Sequence, residues 1–120
     1  MQYNCMYYPN CRDLLKTSKY QEIKMSDSIE TTLKLNPNQK VIQVLQADGF
    51  KVIGLGFTKG QILENHKTST PAFLFVHSGE VEFLINGENL NFKSGSFFRI
   101  PENIEHEVRA LEDSRLLLVK

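Results

Sequence analysis

Gly60-Gln-Ile-Leu-Glu-Asn-His66, running on through Pro71 and the apolar Ala72-Phe-Leu-Phe-Val76 to Gly79, decides the fold when set beside Gly95 to His106. Five residues separate Gly60 from His66, and Gly79 stands thirteen places after that histidine. Five residues also separate Gly95 from Pro101, and His106 lies five places further on. Between the two stretches the residue period is two. Val81, Phe83 and Ile85 alternate with Glu80, Glu82 and Leu84, the pattern of a strand with one buried face. Asn86-Gly87 then predicts a tight hairpin, with Leu90 and Phe92 on the returning strand.

Working outward, Val41 to Leu45 is a strand rich in β-branched residues, and Phe50 to Phe57 returns beside it after the turn at Asp48-Gly49. Gly54 and Gly56 share one face of that second strand and leave room for another part of the chain or a ligand to come close. Phe97 to Ile100, Glu105 to Ala110 and Ser114 to Val119 complete the set of strands. Upstream, Ile29, Thr31 and Leu33 alternate with polar neighbours, which predicts an accessory strand before the turn at Asn36-Pro37-Asn38. The expected organisation is an N-terminal arm over 1–19 with one helical turn at Asp13 to Thr17, accessory strands over 20–40, and a barrel over 41–120. Met25 is an alternative start. Short strands at close spacing, with no other helical pattern, predict an all-β sandwich or barrel.

The bulk composition narrows the function classes. With 120 residues the chain has the size of one domain and can bury a real core. Lys plus Arg and Asp plus Glu number 14 each, so no basic stripe marks a nucleic-acid partner. No apolar run approaches the roughly 18 residues of a membrane span, and no secretory signal is read at the N-terminus, so the expected compartment is the cytoplasm. Cys5 and Cys11 both lie in the arm without other ligands at zinc-site spacing, and are expected to be reduced thiols.

Both quoted stretches resemble the two motifs of the cupin family, and the resemblance spans about residues 41–119. The first motif reads Gly, five residues, His-x-His, three or four residues, Glu, six residues, Gly. Gly60, His66 and Gly79 match it, while Thr68 stands at the second histidine and Ala72 at the glutamate. The second motif reads Gly, five residues, Pro-x-Gly, two residues, His, three residues, Asn. Gly95, Pro101 and His106 match, while Asn103 stands at its inner glycine and Ala110 at its asparagine. The fold implied is a cupin-type double-stranded β-helix, a jelly-roll barrel, with a short N-terminal arm. Of the four metal ligands usual in the family, two remain.

The resemblance implies a small molecule bound inside the barrel, at His66, Thr68, Ala72, Leu74, Phe83, Phe98 and His106. No cofactor is expected; the alternative is a weakly bound divalent metal (iron, zinc, manganese, copper or nickel) serving an oxygenase or isomerase. Neutral imidazole suits such metals, but a catalytic site normally holds three protein ligands. The candidate third ligand beside His66 and His106 is Glu64, because residues two apart on an extended strand point the same way. His77 reads as a surface or interface histidine, and Arg99 as covering apolar surface or meeting an anionic ligand. Glu105 and Glu107 should point away from His106. Ala72 to Val76 and Leu116 to Val119 are apolar on both faces, so the outward side needs cover, and a homodimer is expected.

Overall fold

The computed structural model describes residues 27–120; the arm with Cys5, Cys11 and the Asp13 to Thr17 turn, and Met25, lie outside the described residues. Among the described residues, nine strands form two facing antiparallel sheets. The five-stranded sheet holds β1 (Val41–Gln46), β2 (Val52–Phe57), β9 (Ser114–Val119), β4 (Ala72–Ser78) and β7 (Phe97–Ile100), in that spatial order. The four-stranded sheet holds β3 (Ile62–His66), β8 (His106–Ala110), β5 (Glu80–Ile85) and β6 (Glu88–Lys93), again in spatial order. This is an all-β sandwich, as the strand pattern predicts, in the double-sheet jelly-roll arrangement that the cupin resemblance implies.

Three glycines of the quoted stretches mark the corners. The chain passes from the five-stranded to the four-stranded sheet at Gly60 and Gly79, and back again at Gly95. Their φ angles are +91°, +89° and +89°, the left-handed region that side chains with a Cβ avoid. At Gly79 the demand is also steric, because a Cβ there would overlap Ser114 Oγ and the Asp113 backbone oxygen. The hairpin of β5 and β6 turns on Asn86 and Gly87, at φ +51° and +78°, as a two-residue turn with both central residues left-handed.

The inward faces of the sheets make one core. Leu55, Leu74, Val76, Ile100 and Leu116 come from the five-stranded sheet, and Val81, Phe83, Val108 and Ala110 from the other. Phe57 and Phe83 are fully buried, and each contributes about 1.5–3 kcal/mol of hydrophobic stabilisation.

Residues 29–33 do not form the expected strand. Ile29–Thr32 is a single helical turn, α1, capped by Ser28, whose hydroxyl accepts from the Thr31 amide at 3.2 Å. The alternation of Ile29, Thr31 and Leu33 imitated a strand, yet only Leu33 is buried. Its side chain lies on the outer face of β2. A Cβ on Gly54 would come within 2.7 Å of Leu33, and one on Gly56 within 2.9 Å of Leu35. The two glycines therefore admit the close approach their spacing predicts, and the visitor is the chain's own upstream segment. Arg115 Nε donates to the Leu33 carbonyl at 2.9 Å, and His77 Nε2 lies 3.5 Å from Glu30 Oε1.

Candidate functional site

His66 ends β3 and His106 begins β8, and the ladder places them directly opposite each other. Their ring centroids are 4.4 Å apart, with the planes inclined at 60°. His106 also stacks on Phe83, at 5.5 Å and 20°. Phe83 in turn packs against Phe92 at 5.5 Å and Phe98 at 5.2 Å. Through His106, the pair thus stands on a floor of three aromatic rings. Phe92 was not singled out in the sequence; its signal was the alternation of Leu90 and Phe92 on β6, which turns it inward opposite Val81.

Backbone carbonyls set the chemistry of both rings. His66 Nδ1 is 2.8 Å from the Glu64 carbonyl, and His106 Nδ1 is 3.0 Å from the Ile104 carbonyl. A carbonyl only accepts, so each Nδ1 carries a proton, and in the neutral form of either ring Nε2 is the nitrogen with the lone pair. Burial pushes the His106 pKa below the ordinary histidine value; the Ile104 carbonyl opposes the shift and the charge of His66 adds to it. His106 is therefore a neutral acceptor at pH 7.

The other expected site residues are placed as follows. Ala72 and Leu74 are buried on β4, and Leu74 pairs with Phe98 on β7. Thr68 lies in the loop before β4, where its hydroxyl donates to the Thr70 carbonyl at 2.8 Å and its own carbonyl accepts from the Asn103 amide. Glu64 does not join the histidine pair. The register of β3 slips between Leu63 and His66, and this bulge breaks the two-residue alternation that would have put Glu64 beside His66. Its carboxylate instead meets Lys40 Nζ at 3.2 Å. Its pKa is held below the usual carboxylate range, first by a backbone hydrogen bond and then by Lys40. Among the described residues, no three His, Cys, Asp or Glu side chains converge to hold a metal ion. Two imidazoles fall one short of the usual catalytic donor set.

Glu107 and Glu105 face away from His106, as expected. Glu107 Oε2 accepts from Arg109 Nε at 2.6 Å, and Glu105 from Asn65 at 3.0 Å. They border an open groove of about 680 Å³ on the outer side of the four-stranded sheet, with Leu84, Asn89 and Asn103. His77 and Arg99 both lie on the outer side of the five-stranded sheet, away from the aromatic floor.

With the two half-filled motifs folded onto one barrel end, comparison with known proteins decides the family. The sequence profile of the cupin domain matches residues 56–120. The chain belongs to the cupin family. Many solved structures share the fold. A conserved protein of unknown function from Streptococcus pyogenes is 23% identical, with TM-score 0.74, covering 82% of this chain and 87% of that one. A cupin superfamily protein from Desulfitobacterium hafniense is 12% identical with the same TM-score, covering 82% of this chain and 92% of that one. An RmlC-like cupin from Desulfovibrio desulfuricans is 22% identical with TM-score 0.65, covering 82% and 91%. At these identities the likeness shows the cupin fold. No curated protein matches the chain. No helix among the described residues of this cupin is long and apolar enough to cross a membrane.

Proposed function

We propose that this cupin is a homodimer that binds a small molecule at the His66 and His106 end of its barrel. The observation that carries the proposal is the pair of backbone-tethered imidazoles on the Phe83, Phe92 and Phe98 floor. The Nε2 lone pair of His106, and that of His66 in its neutral form, ask for a ligand that donates hydrogen bonds, through hydroxyl or N–H groups. The aromatic floor asks that the rest of the ligand be apolar or planar. A protein that prefers its histidine neutral selects against the alternative of an anion held by imidazolium.

The test is a screen of hydroxylated and N–H-bearing small molecules by histidine-edited NMR. True ligands shift the Nε2 resonances of both rings. His106→Ala should weaken them at least about tenfold, the loss of roughly one hydrogen bond. Hits that bind the His66→Ala/His106→Ala double variant as tightly as the wild type would sink the proposal. Elemental analysis of protein purified without chelator completes the test. Near-stoichiometric metal lost on His66→Ala would move the site to the metal-dependent enzyme, since a carbonyl on Nδ1 also orients Nε2 for ligation.

The pKa shift gives a second check. The unfolded chain takes up a proton on His106 near the ordinary value of about 6.5, while the folded protein resists until lower pH. Protons then favour unfolding, so stability falls as pH drops through and below about 6.5. His106→Gln should flatten that part of the profile in urea titrations; an unchanged slope would show that burial of His106 does not set it.

A further inference from the structure

The inward rows of the two sheets end at one mouth of the barrel. Directly opposite residues of antiparallel strands share a face, so on the four-stranded sheet the last inward row runs His66, His106, Ile85. On the five-stranded sheet, Ile53 and Leu118 pack against the core. Lys51 stands two places before the one and Lys120 two places after the other, so both take the inward side as well. The two lysines are direct opposites. The Lys51 amide donates to the Lys120 carbonyl at 2.7 Å, and the Lys120 amide to the Lys51 carbonyl at 2.9 Å. Val119 pairs with Phe73, which sets Lys120 beside the start of β4. Residues 67–71 join the end of β3 to that same start, so the histidine row and the lysine row rim the same mouth. Facing sheets lie about 10 Å apart.

We infer that the ligand of the histidine pair is an anion, its carboxylate or phosphate held by Lys51 and Lys120 while its hydroxyl or N–H groups meet His66 and His106. The inference rests on the small-molecule site proposed above and names the class of its ligand. Charge carries it first. Two ammonium groups directly opposite each other repel, and neither has an ion-pair partner among the described residues. An anion between them removes that repulsion and gains two charge-assisted hydrogen bonds. Space agrees with charge. A hollow of about 430 Å³ is lined by Phe50, Lys51, Thr70 and Lys120. Thr70 belongs to the loop that leaves His66, so the hollow adjoins the histidine row. The two rows also divide the chemistry. A neutral His106 accepts hydrogen bonds but offers an anion no charge, and the lysines offer charge but accept nothing. Glu88, opposite Ile85 on β6, stands two strand spacings beyond His106, about 10 Å away. It therefore leaves the lysine corner positive.

Calorimetric titration of the full chain with three matched probes tests this. The probes are para-hydroxybenzoate, para-hydroxyphenyl phosphate and the neutral para-hydroxybenzamide, each with a ring for the aromatic floor. The anions should bind at least about tenfold more tightly than the amide, the margin of one charge-assisted hydrogen bond. The tighter of the two tells carboxylate from phosphate. Both lysines are exposed, so Lys51→Gln and Lys120→Gln should stay folded by circular dichroism. Each should weaken the anions about tenfold and leave the amide unchanged, and added salt should narrow the margin. An amide that binds as tightly as the anions, and loses affinity in His106→Ala, overturns the lysine assignment while the histidine site stands. Anions that need the lysines yet bind the His66→Ala/His106→Ala variant unchanged overturn the joint site. A chain that binds none of the three overturns the inference as well.

Discussion

On the outer side of the four-stranded sheet, Glu82, Leu84, Glu107 and Arg109 meet water; the five-stranded sheet turns out Phe73, Phe75, Phe97, Leu117 and Val119. The two sheets share one core, so the contrast is not about stability of the interior. A charged outer face is finished when it reaches solvent, and its ion pairs are small matters. An apolar outer face is finished only when something lies on it. In this chain half of that work falls to Leu33 and Leu35, seated where Gly54 and Gly56 have no side chains.

The contrast breaks first at Leu33. Leu33→Ala should cost about 2–5 kcal/mol in urea denaturation, as for a fully buried leucine. A loss below about 1 kcal/mol, the level of surface substitutions, would mean that this segment does not hold to the sheet. On the four-stranded side the expected effect is far smaller. Arg109→Ala removes the 2.6 Å contact to Glu107 and the 3.9 Å contact to Glu82, yet should cost no more than about 1 kcal/mol, and less as salt is added. A larger, salt-insensitive loss would show that the charged face is as structurally committed as the apolar one.

The frame was legible because its signals are local. Gly60, Gly79 and Gly95 are left-handed corners, and Asn86-Gly87 is a hairpin, whatever the rest of the chain does. The meeting of His66 and His106 was legible as well, through the two motifs that carry them. Other features depend on the neighbours a residue acquires. Strand alternation put Glu64 beside His66, but the bulge after Leu63 exists only in the pairing of β3 with β8. Ile29 to Leu33 has the period of a strand, and its helical turn was signalled by Ser28 as a cap rather than by that period. Phe92 joined the aromatic floor through the closeness of β6 and β7, which composition does not reveal.

The position of β9 has a consequence for synthesis. Among the described strands it is the last in chain order, and it sits at the centre of the five-stranded sheet, between β2 and β4. The pair β1 and β2 gains its inner neighbour only when Ser114 to Val119 has been made. At ribosomal speeds of about 5–20 residues per second, the wait from Phe57 to Ser114 is on the order of 3 to 12 s. Throughout it, the apolar edge of β2 has no strand to pair with. The nascent chain is therefore most open to aggregation, and to chaperone capture, in the seconds before its last strand arrives.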